Sequence, residues 1–415
     1  MELSSFGQAY CGESGISNLM EDLGKALAQA DSNTLMLGGG NPAHIPEVED
    51  LLRDSLKEIV DTPALCSRML GDYDPPEGHP AFREALASEL KARFGWPIGA
   101  ENIFLSPGSQ ASFFLLFSAL AGDGKKIHLP LVPEYIGYRD IGVGPSIFRS
   151  HRPDIELHGD KRFKYRINPD AYDIQDDIAA VCISRPTNPT GNVLTDDEVG
   201  HLSQLTRDAN IPLILDNAYG LPFPRIVFND AKPFWEEHVI LCMSLSKFGL
   251  PATRTGIVIA KPEIIKALGR ANTIQCLATP SMGPEIALRL LQKQQLFHLS
   301  NEVIRPYYHR KVEHASQLLE SNVQDLPCRI HVPEGALFLW LWCPDCPITS
   351  RELYERLKAK GVLVIPGEDF FPGLDDPEWT HQRECLRISY AMADDVVEKG
   401  LAIVGEEVRR AYQEK

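Results

Sequence analysis

The chain has 415 residues, of which 44% are apolar and 24% charged, a composition typical of a globular protein with a sizeable core. This length exceeds one ordinary small domain and predicts two lobes. The net charge of −16 argues against nucleic acid or an anionic membrane as a general partner.

The first residues, MELSSFGQAY, carry neither the basic nor the apolar region of a secretory signal, and no apolar run approaches membrane-spanning length. The nine cysteines are scattered, and Cys182 and Cys242 lie in apolar runs, which suits a reduced protein. Cys343 and Cys346 form a CPDC without the second pair that structural zinc needs, and the twelve histidines form no ligand-spaced cluster. We therefore expect a cytoplasmic protein without a metal site.

Six short apolar runs in the middle of the chain are expected to be strands: NIFLS (102–106), KIHLPLVP (126–133), IAAVCIS (178–184), IPLILD (211–216), VILCMS (239–244) and TGIVIA (255–260). They do not alternate apolar and polar residues, which predicts strands buried on both faces in a mostly parallel sheet. Helix-like segments lie between them, such as 195–210 with Thr195 as its N-cap. The alternation predicts a three-layer α/β large domain over residues 50–290.

The last third of the chain has a different pattern. Residues 284–322 form a long amphipathic stretch, which predicts one helix or two joined helices with a kink or break at Pro306. After it, RIHVPEGALFLWLWC predicts a hairpin, and RECLRISYA predicts another strand. We expect a smaller α+β domain that combines residues 1–49 with 291–415, the first 45 or so packing with it or across the cleft.

Ligands of parallel α/β sheets bind beyond the carboxyl ends of the strands, where this sequence places several polar residues. They are Asn188 between two prolines, Asp216 with Tyr219 after it, Lys247, and a small-residue turn at 107–110 that opens a helix. Such a turn can hold an anion, although it is also an ordinary strand-to-helix connection. Taken together, the groups suit a cofactor with a phosphate, a phenolate, a protonated ring nitrogen and an aldehyde, which is pyridoxal 5′-phosphate.

Three segments, RPTNPTGN, DNAYG and SLSKFGLPATRTG, resemble the signature regions of the fold-type I aminotransferases, the aspartate aminotransferase superfamily. Their order and spacing also fit, and the resemblance covers essentially the whole chain. It implies a pyridoxal-phosphate-dependent transferase with a large domain and a smaller one.

The resemblance also implies the catalytic roles. Lys247 would form the Schiff base with the cofactor and carry the proton to and from the substrate α-carbon. Asp216 would pair with the pyridinium nitrogen and keep it protonated. Asn188 and Tyr219 would donate hydrogen bonds to the phenolate oxygen.

Other residues are expected to hold the cofactor's phosphate and ring. The turn, two serines and an arginine, whose fork matches phosphate geometry, would hold the phosphate: Gly108, Ser109, Gln110, Ser244, Ser246 and Arg254. Tyr135 would stack on the ring, with Tyr138 as the alternative. Tyr73 resembles the tyrosine that family members lend to the phosphate of a neighbouring subunit, which implies a homodimer; otherwise it is a surface tyrosine in a turn.

The substrate's α-carboxylate is expected to bind Arg387, with a structural ion pair as the competing interpretation. Gly40 would lie under the same carboxylate, and Asn188 beside it. We find no second arginine dedicated to a side-chain carboxylate, which counts against aspartate or glutamate as the best substrate.

The implied reaction is ping-pong transfer of the amino group of L-valine to pyruvate, giving 3-methyl-2-oxobutanoate and L-alanine. An apolar pocket separates such side chains poorly, so alanine, 2-aminobutyrate, methionine and leucine are expected to overlap with valine. Ile16, Leu19 and Met20, at helical spacing, could line that pocket or belong to the core. The alternatives are an aminotransferase for another neutral amino acid, a lyase on the same fold, and a ligand-sensing regulator, which the acidic balance disfavours.

Overall fold

The computed structural model describes residues 3–12, 34–141 and 147–414, together with residues 14, 15, 17, 20, 21 and 24. Within these, the helices are α1 (Ser5–Tyr10), α2 (Pro46–Asp61), α3 (Pro63–Gly71), α4 (Pro80–Phe94), α5 (Ser109–Leu120), α6 (Asp196–Asp208), α7 (Pro262–Cys276), α8 (Met282–Gln292), α9 (Gln295–His298), α10 (Arg305–Asn322), α11 (Ser350–Ala359) and α12 (Asp394–Gln413). The strands are β1 (Leu35–Met36), β2 (Ile103–Ser106), β3 (Lys126–Leu129), β4 (Phe148–Ser150), β5 (Asp154–His158), β6 (Arg162–Arg166), β7 (Ile178–Ser184), β8 (Leu213–Asp216), β9 (Val239–Ser244), β10 (Gly256–Ile259), β11 (Arg329–His331), β12 (Phe338–Trp342), β13 (Val362–Leu363), β14 (Ile365–Pro366) and β15 (Cys385–Ser389).

A seven-stranded sheet forms the centre of the larger lobe, in the order β2-β10-β9-β8-β7-β3-β4. Strand β10 runs antiparallel to both of its neighbours, and the other pairs are parallel. Every residue of β2, β8, β9 and β10 is buried, because these continuous apolar runs have helices on both sides. The mostly parallel α/β sheet expected from the sequence is confirmed.

Helix α6 begins where its capping residue predicts. The Thr195 hydroxyl accepts a hydrogen bond from the Glu198 N–H at 3.1 Å, and the Glu198 carboxylate accepts one from the Thr195 N–H at 2.7 Å. This reciprocal pair satisfies N–H groups that the first turn of a helix leaves free. The predicted helix over 195–210 is confirmed.

A second sheet has six strands in the order β14-β15-β12-β11-β6-β5. The expected hairpin is the antiparallel pair β11–β12, and RECLRISYA supplies β15 beside β12. Strands β5 and β6 come from within residues 50–290, and β6 joins this sheet through a parallel contact with β11. The domain boundaries at 49/50 and 290/291 stay a prediction. Strand β1 pairs with β13, so that residues 35–36 pack against residues 362–363.

The amphipathic stretch 284–322 is interrupted at a position other than the predicted one. Helix α8 ends at Gln292, and Gln294 takes a left-handed conformation with φ of +60°. From Gln295 the chain stays helical through a π-helical turn at Leu299–Ile304 and enters α10. Pro306 is the second residue of α10 and comes directly after the π-helical turn, so the helical hydrogen-bond pattern is irregular just before the residue that lacks an N–H. The stretch therefore consists of joined helices, with the break at residues 293–294 and not at Pro306, where the helix changes from π to α without a break.

One hydrophobic cluster runs continuously through both lobes. Its largest fully buried side chains include Tyr138 and Phe113 beside the first sheet and Trp340 and Tyr165 in the second. In the described part of the chain, no helix combines the length and the apolar composition that crossing a membrane requires.

Candidate active site

One cavity lies at the carboxyl ends of the strands of the larger sheet. Ser184, Asp216 and Ser244 end β7, β8 and β9, and all three line it. Ten residues predicted from the sequence meet there: Ser109, Gln110, Tyr135, Asn188, Asp216, Tyr219, Ser244, Ser246, Lys247 and Arg254. Adjacent parallel strands bring these residues together, because their ends meet at one edge of the sheet.

The part of the cavity beside helix α5 is suited to an anion. Gly108 has a φ of +98° and immediately precedes the helix, whose first N–H groups have no partner within the helix. A Cβ on Gly108 would fall 2.2 Å from an Arg254 guanidinium nitrogen, so glycine leaves the space that Arg254 occupies. Arg254 Nη1 donates to Ser246 Oγ at 3.5 Å, and the Ser246 N–H donates to Ser244 Oγ at 3.0 Å. Positive potential is thus concentrated at this end.

Asp216 provides a buried negative charge on the cavity floor. Its Oδ2 accepts a hydrogen bond from the Tyr138 hydroxyl at 2.7 Å, and its Oδ1 accepts one from the Ala218 N–H at 2.9 Å. Burial raises the pKa of Asp216 to about 6, while the two hydrogen bonds and the Lys247 amine act to lower it. Asp216 is therefore ionised at neutral pH and can pair with a cation in the cavity.

Lys247 lies opposite, with its Nζ donating to the carbonyl oxygen of Gly40 at 2.5 Å and 5.2 Å from the centre of the Tyr219 ring. Burial, followed by the guanidinium groups of Arg387 and Arg254, lowers the pKa of Lys247 to about 8. The negative charge of Asp216 opposes this change. The amine is therefore far closer to its nucleophilic neutral form at physiological pH than an ordinary lysine.

Arg387, on β15 of the second sheet, lies beside the cavity, where it contacts the cavity residue Asn188. Its guanidinium donates to Asn188 Oδ1 at 2.8 Å and to the Gly38 carbonyl at 2.7 Å, and it lies 4.2 Å from the centre of the Phe338 ring. Its buried Nε has no hydrogen-bond partner in the structure. Burial lowers the pKa of Arg387 to about 10, which still leaves it charged at neutral pH. Among the described residues, no carboxylate pairs with it, so the competing interpretation as a structural ion pair is not supported.

The two tyrosines near the cavity differ in position. Tyr135 lines the cavity, whereas the fully buried Tyr138 lies behind the floor with its hydroxyl on Asp216. The two rings meet edge to face at 5.5 Å. The Asn188 amide nitrogen donates to the Tyr219 hydroxyl at 3.5 Å, so that Asn188 bridges Tyr219 and Arg387.

Four predicted residues do not line the cavity: Gly108 and Arg387, described above, and Gly40 and Tyr73. Gly40 contacts Lys247 through its carbonyl, and a Cβ there would meet Lys247 Nζ at 3.6 Å, an ordinary contact distance. Tyr73 is 82% exposed and does not line the cavity of its own chain. Among the apolar residues considered for the side-chain pocket, Met20 is exposed, which argues against the core for it, and Ile16 and Leu19 lie outside the described residues.

Three residues of the site were not recognised from the sequence in their observed positions. Ser184 lines the cavity, Tyr138 holds Asp216, and Glu134 is a buried carboxyl bonded to Ser184. The segment VPEYIGY contains two of them next to a predicted strand, but no pattern in it distinguishes the ring that faces the cavity from the ring behind it. Across the described residues, no cluster of histidine, cysteine, aspartate or glutamate could hold a metal ion.

The comparisons with known proteins agree with this geometry. The model of the family aminotransferase class I and II matches residues 32–404. Valine–pyruvate aminotransferase of Escherichia coli (strain K12) is 45% identical over 423 residues, covering 100% of both chains. The crystal structure of valine–pyruvate aminotransferase from Salmonella typhimurium LT2 is 45% identical, with a TM-score of 0.89 over 97% of this chain and 100% of that one. A putative amino-acid aminotransferase from Psychrobacter arcticum 273-4 is 42% identical, with a TM-score of 0.96 over 100% of both chains.

The family match spans both lobes and every cavity residue named above. Full-length identity above 40% to two of these proteins extends beyond the signature segments to the chain as a whole. The chain is therefore an aminotransferase of class I and II, a fold-type I enzyme that depends on pyridoxal 5′-phosphate.

Proposed function

We propose that this aminotransferase transfers the amino group of L-valine to pyruvate, giving 3-methyl-2-oxobutanoate and L-alanine. The observation that carries the choice of substrates is the 45% identity over the full chain to valine–pyruvate aminotransferase of E. coli. The site supports the reaction type, because the cavity holds an activated amine and a buried carboxylate, and an arginine with an unpartnered Nε lies beside it.

The cavity residues fit pyridoxal 5′-phosphate on features of this chain. The helix start beside Gly108 and the Arg254 guanidinium suit its phosphate, and the buried anion Asp216 suits its ring nitrogen. When bound, the cofactor supplies an aldehyde that takes up the amino group and a ring that accepts electrons from the substrate α-carbon. We assign the phosphate to Gly108, Ser109, Gln110, Ser244, Ser246 and Arg254.

In the proposed mechanism, Lys247 and Asp216 act together on proton transfer. The Lys247 amine, neutral in a large fraction of molecules near its pKa of about 8, removes the proton from the substrate α-carbon and returns it. Asp216, ionised at neutral pH, would pair with a cationic ring nitrogen. Asn188 and Tyr219 would donate hydrogen bonds to the ring's phenolate oxygen, and Tyr135 would stack on the ring.

Arg387 is proposed to bind the α-carboxylate of both substrates. The centres of the Phe338 and Phe370 rings lie 4.2 Å and 5.2 Å from its guanidinium. The two rings therefore shield the guanidinium from water and restrict its orientation. Asn188 fixes one guanidinium nitrogen, while Gly40 leaves room beside Lys247 for the substrate. The aromatic walls give a neutral side chain an apolar environment, in which valine and other aliphatic amino acids compete.

Addition of L-valine without an oxo acid should bleach the visible band of protein-bound pyridoxal phosphate, and pyruvate should restore it, because the amino group is held on the enzyme between the two halves. Absorbance spectroscopy follows both steps. A band that valine leaves unchanged and another neutral amino acid bleaches would contradict the substrate. Release of pyruvate and ammonia without an acceptor would indicate a lyase instead.

Replacement Lys247→Ala should abolish turnover of valine with pyruvate, since no other amine is assigned to the proton transfer. Lys266→Ala, at an exposed position of α7, is the matched control and should keep wild-type rates. Coupled detection of L-alanine measures both variants. Steady turnover by the Lys247→Ala enzyme would refute the mechanism.

We also propose that the enzyme is a cytoplasmic homodimer in which Tyr73 reaches the phosphate site of the neighbouring subunit. Tyr73 is 82% exposed, while its neighbour Asp74 is buried and accepts hydrogen bonds from Arg68 at 2.6 Å and Ser281 at 2.7 Å. This anchor fixes a loop whose tyrosine has no contact in its own cavity. Apolar side chains are also exposed on α3, which precedes the loop, and at the end of α7, whose Gly269 packs against Pro76 and Glu77: Leu70, Ile274 and Leu277. Their exposure supports an interface with a second copy.

Mixed dimers test the exchange of Tyr73. A Lys247→Ala chain and a Tyr73→Ala chain should each be impaired, but random mixed dimers should recover about one quarter of the wild-type sites, because one site in each hybrid is complete. Subunit exchange followed by an activity assay measures this, with sedimentation confirming the dimer. Activity that never exceeds the mean of the two parents would place Tyr73 outside the neighbouring site.

The position of the Tyr135 ring depends on Gly137. A Cβ on Gly137 would lie 2.4 Å from Tyr135 Cε1 and 2.9 Å from Gln110 Oε1, so Gly137→Ala should displace the ring. We expect affinity for pyridoxal phosphate to fall about three- to tenfold, the size of a lost aromatic contact. Gly200→Ala, in α6 with nothing within 4 Å of the new methyl, is the control. Fluorescence titration measures both, and equal affinities would contradict the assigned stacking role.

A further inference from the structure

Glu134 is a buried carboxyl beside the cavity that the roles above leave unused. It is 2% exposed and lies immediately before Tyr135. Its Oε1 accepts a hydrogen bond from the Ser184 N–H at 2.8 Å, and its Oε2 accepts from Ser184 Oγ at 2.5 Å and from the Tyr135 N–H at 3.3 Å. Its own N–H donates to the Phe370 carbonyl at 2.8 Å. One residue thus ties the Tyr135 loop to the end of β7 and to the segment beside Arg387.

The charged group that acts on the pKa of Glu134 is another carboxylate, that of Asp216. Ser184 is the partner of Asp216 in the parallel pair β7–β8, so the two carboxyl groups lie on neighbouring elements of the same sheet edge. Among the described residues, Glu134 forms no ion pair, and the one charged group that acts on it is Asp216. Burial, to which the charge of Asp216 adds, raises the pKa of Glu134 to about 8.

The guanidinium of Arg387, 5.2 Å from the centre of the Phe370 ring, donates to Asn188 and Gly38 and not to Glu134, and the other titratable groups near Glu134 add no positive charge. Tyr138 and Cys182 stay neutral, because burial raises the pKa of both well above the ordinary value. In the Phe370 segment, Asp369 is already paired with Arg351 at 2.7 Å and Arg139 at 3.3 Å. Burial and the neighbouring charge of Asp216 therefore favour the protonated form of Glu134 more than burial favours that of Asp216.

We propose that Glu134 is a positioning residue that acts as a neutral clamp: it holds the Tyr135 loop against β7 and leaves Asp216 as the single anion of the cavity floor. Protonation on Oε2 keeps these contacts: Oε1 still accepts from the Ser184 N–H, the 2.5 Å contact with Ser184 Oγ is made with Oε2 as the donor, and Oε2 retains a lone pair for the Tyr135 N–H. Ionisation would place a second negative charge beside Asp216, raise its pKa and weaken its pairing with a cationic ring. This inference rests on the proposed function, because the cofactor is the partner of Asp216 and Tyr135.

Two substitutions in the holoenzyme separate the clamp from its charge. Glu134→Gln keeps a carbonyl for the Ser184 N–H and a donor for Ser184 Oγ but cannot ionise. We expect its affinity for pyridoxal phosphate at pH 7 to stay within about threefold of wild type, and the change that the wild-type cofactor band undergoes as pH rises through about 8 to disappear. Glu134→Ala removes the contacts and should weaken cofactor binding about tenfold or more. Fluorescence titration and absorbance from pH 6 to 9 measure both effects.

Either of two results would overturn the clamp. One is a Glu134→Gln enzyme that loses cofactor affinity at pH 7 as severely as Glu134→Ala, since the negative charge would then be required. The other is a change of the cofactor band near pH 8 that persists unchanged in Glu134→Gln. Lys247 is present in both the wild type and the variant, so only a change that the variant loses can be assigned to Glu134. If Glu134→Ala fails to fold, the pH dependence of the cofactor band in Glu134→Gln tests the proposal by itself. A wild-type enzyme that binds the cofactor but ignores valine would refute the substrate and leave this comparison intact.

Discussion

The placement of one amine among two guanidiniums and one carboxylate is the constraint on which the rest of the site depends. The Lys247 amine can act as a nucleophile or base only in molecules in which it is neutral. Burial, together with the charges of Arg387 and Arg254, lowers its pKa to about 8. Asp216 opposes this and keeps the change moderate. Each of these charges comes from a different element. The lowered pKa of the Lys247 amine therefore depends on the relative positions of several strand ends and of both lobes.

Contacts at the junction between the lobes fix the relative positions of these charged groups. Arg387 lies on β15 of the second sheet but bonds to Asn188, which follows β7 of the first. A second link lies close by: Glu334 accepts from the Val193 N–H at 3.0 Å and from Lys164 Nζ at 2.5 Å, and Glu334 N–H bonds the Gly191 carbonyl at 3.1 Å. The loop that carries Asn188 is thus held from both sides. Movement of one lobe against the other would alter the surroundings of Lys247.

The parts of the structure that could be predicted are those whose information is local. Continuous apolar runs gave the strands, and Asp216 and Lys247 could be identified because each follows a run directly. The contact between Arg387 and Asn188 joins residues far apart in the chain, so it was available only through family resemblance. The pairing of β6 with β11 is equally remote in sequence, and no local pattern assigns β5 and β6 to the second sheet.

Other features escaped prediction for energetic reasons. A carboxyl buried without a cation is uncommon, so Glu134 in VPEY has the local pattern of an ordinary loop residue. The helix break at Gln294 uses a left-handed conformation that glycine or asparagine usually supplies, whereas Pro306, the visible signal, lies within a continuous helical run directly after a π-helical turn. In both cases the tertiary structure stabilises a conformation or a burial that the local sequence does not favour.

The most direct test of the central claim is titration of Lys247 in the cofactor-free protein, by the pH dependence of its acylation measured with peptide mass spectrometry. The account predicts a midpoint near pH 8, and a higher one in an Arg387→Gln variant, because loss of a neighbouring positive charge favours the protonated amine. A midpoint near the ordinary value of 10.5, unchanged by that substitution, would contradict the claim that the charges around the cavity activate this lysine.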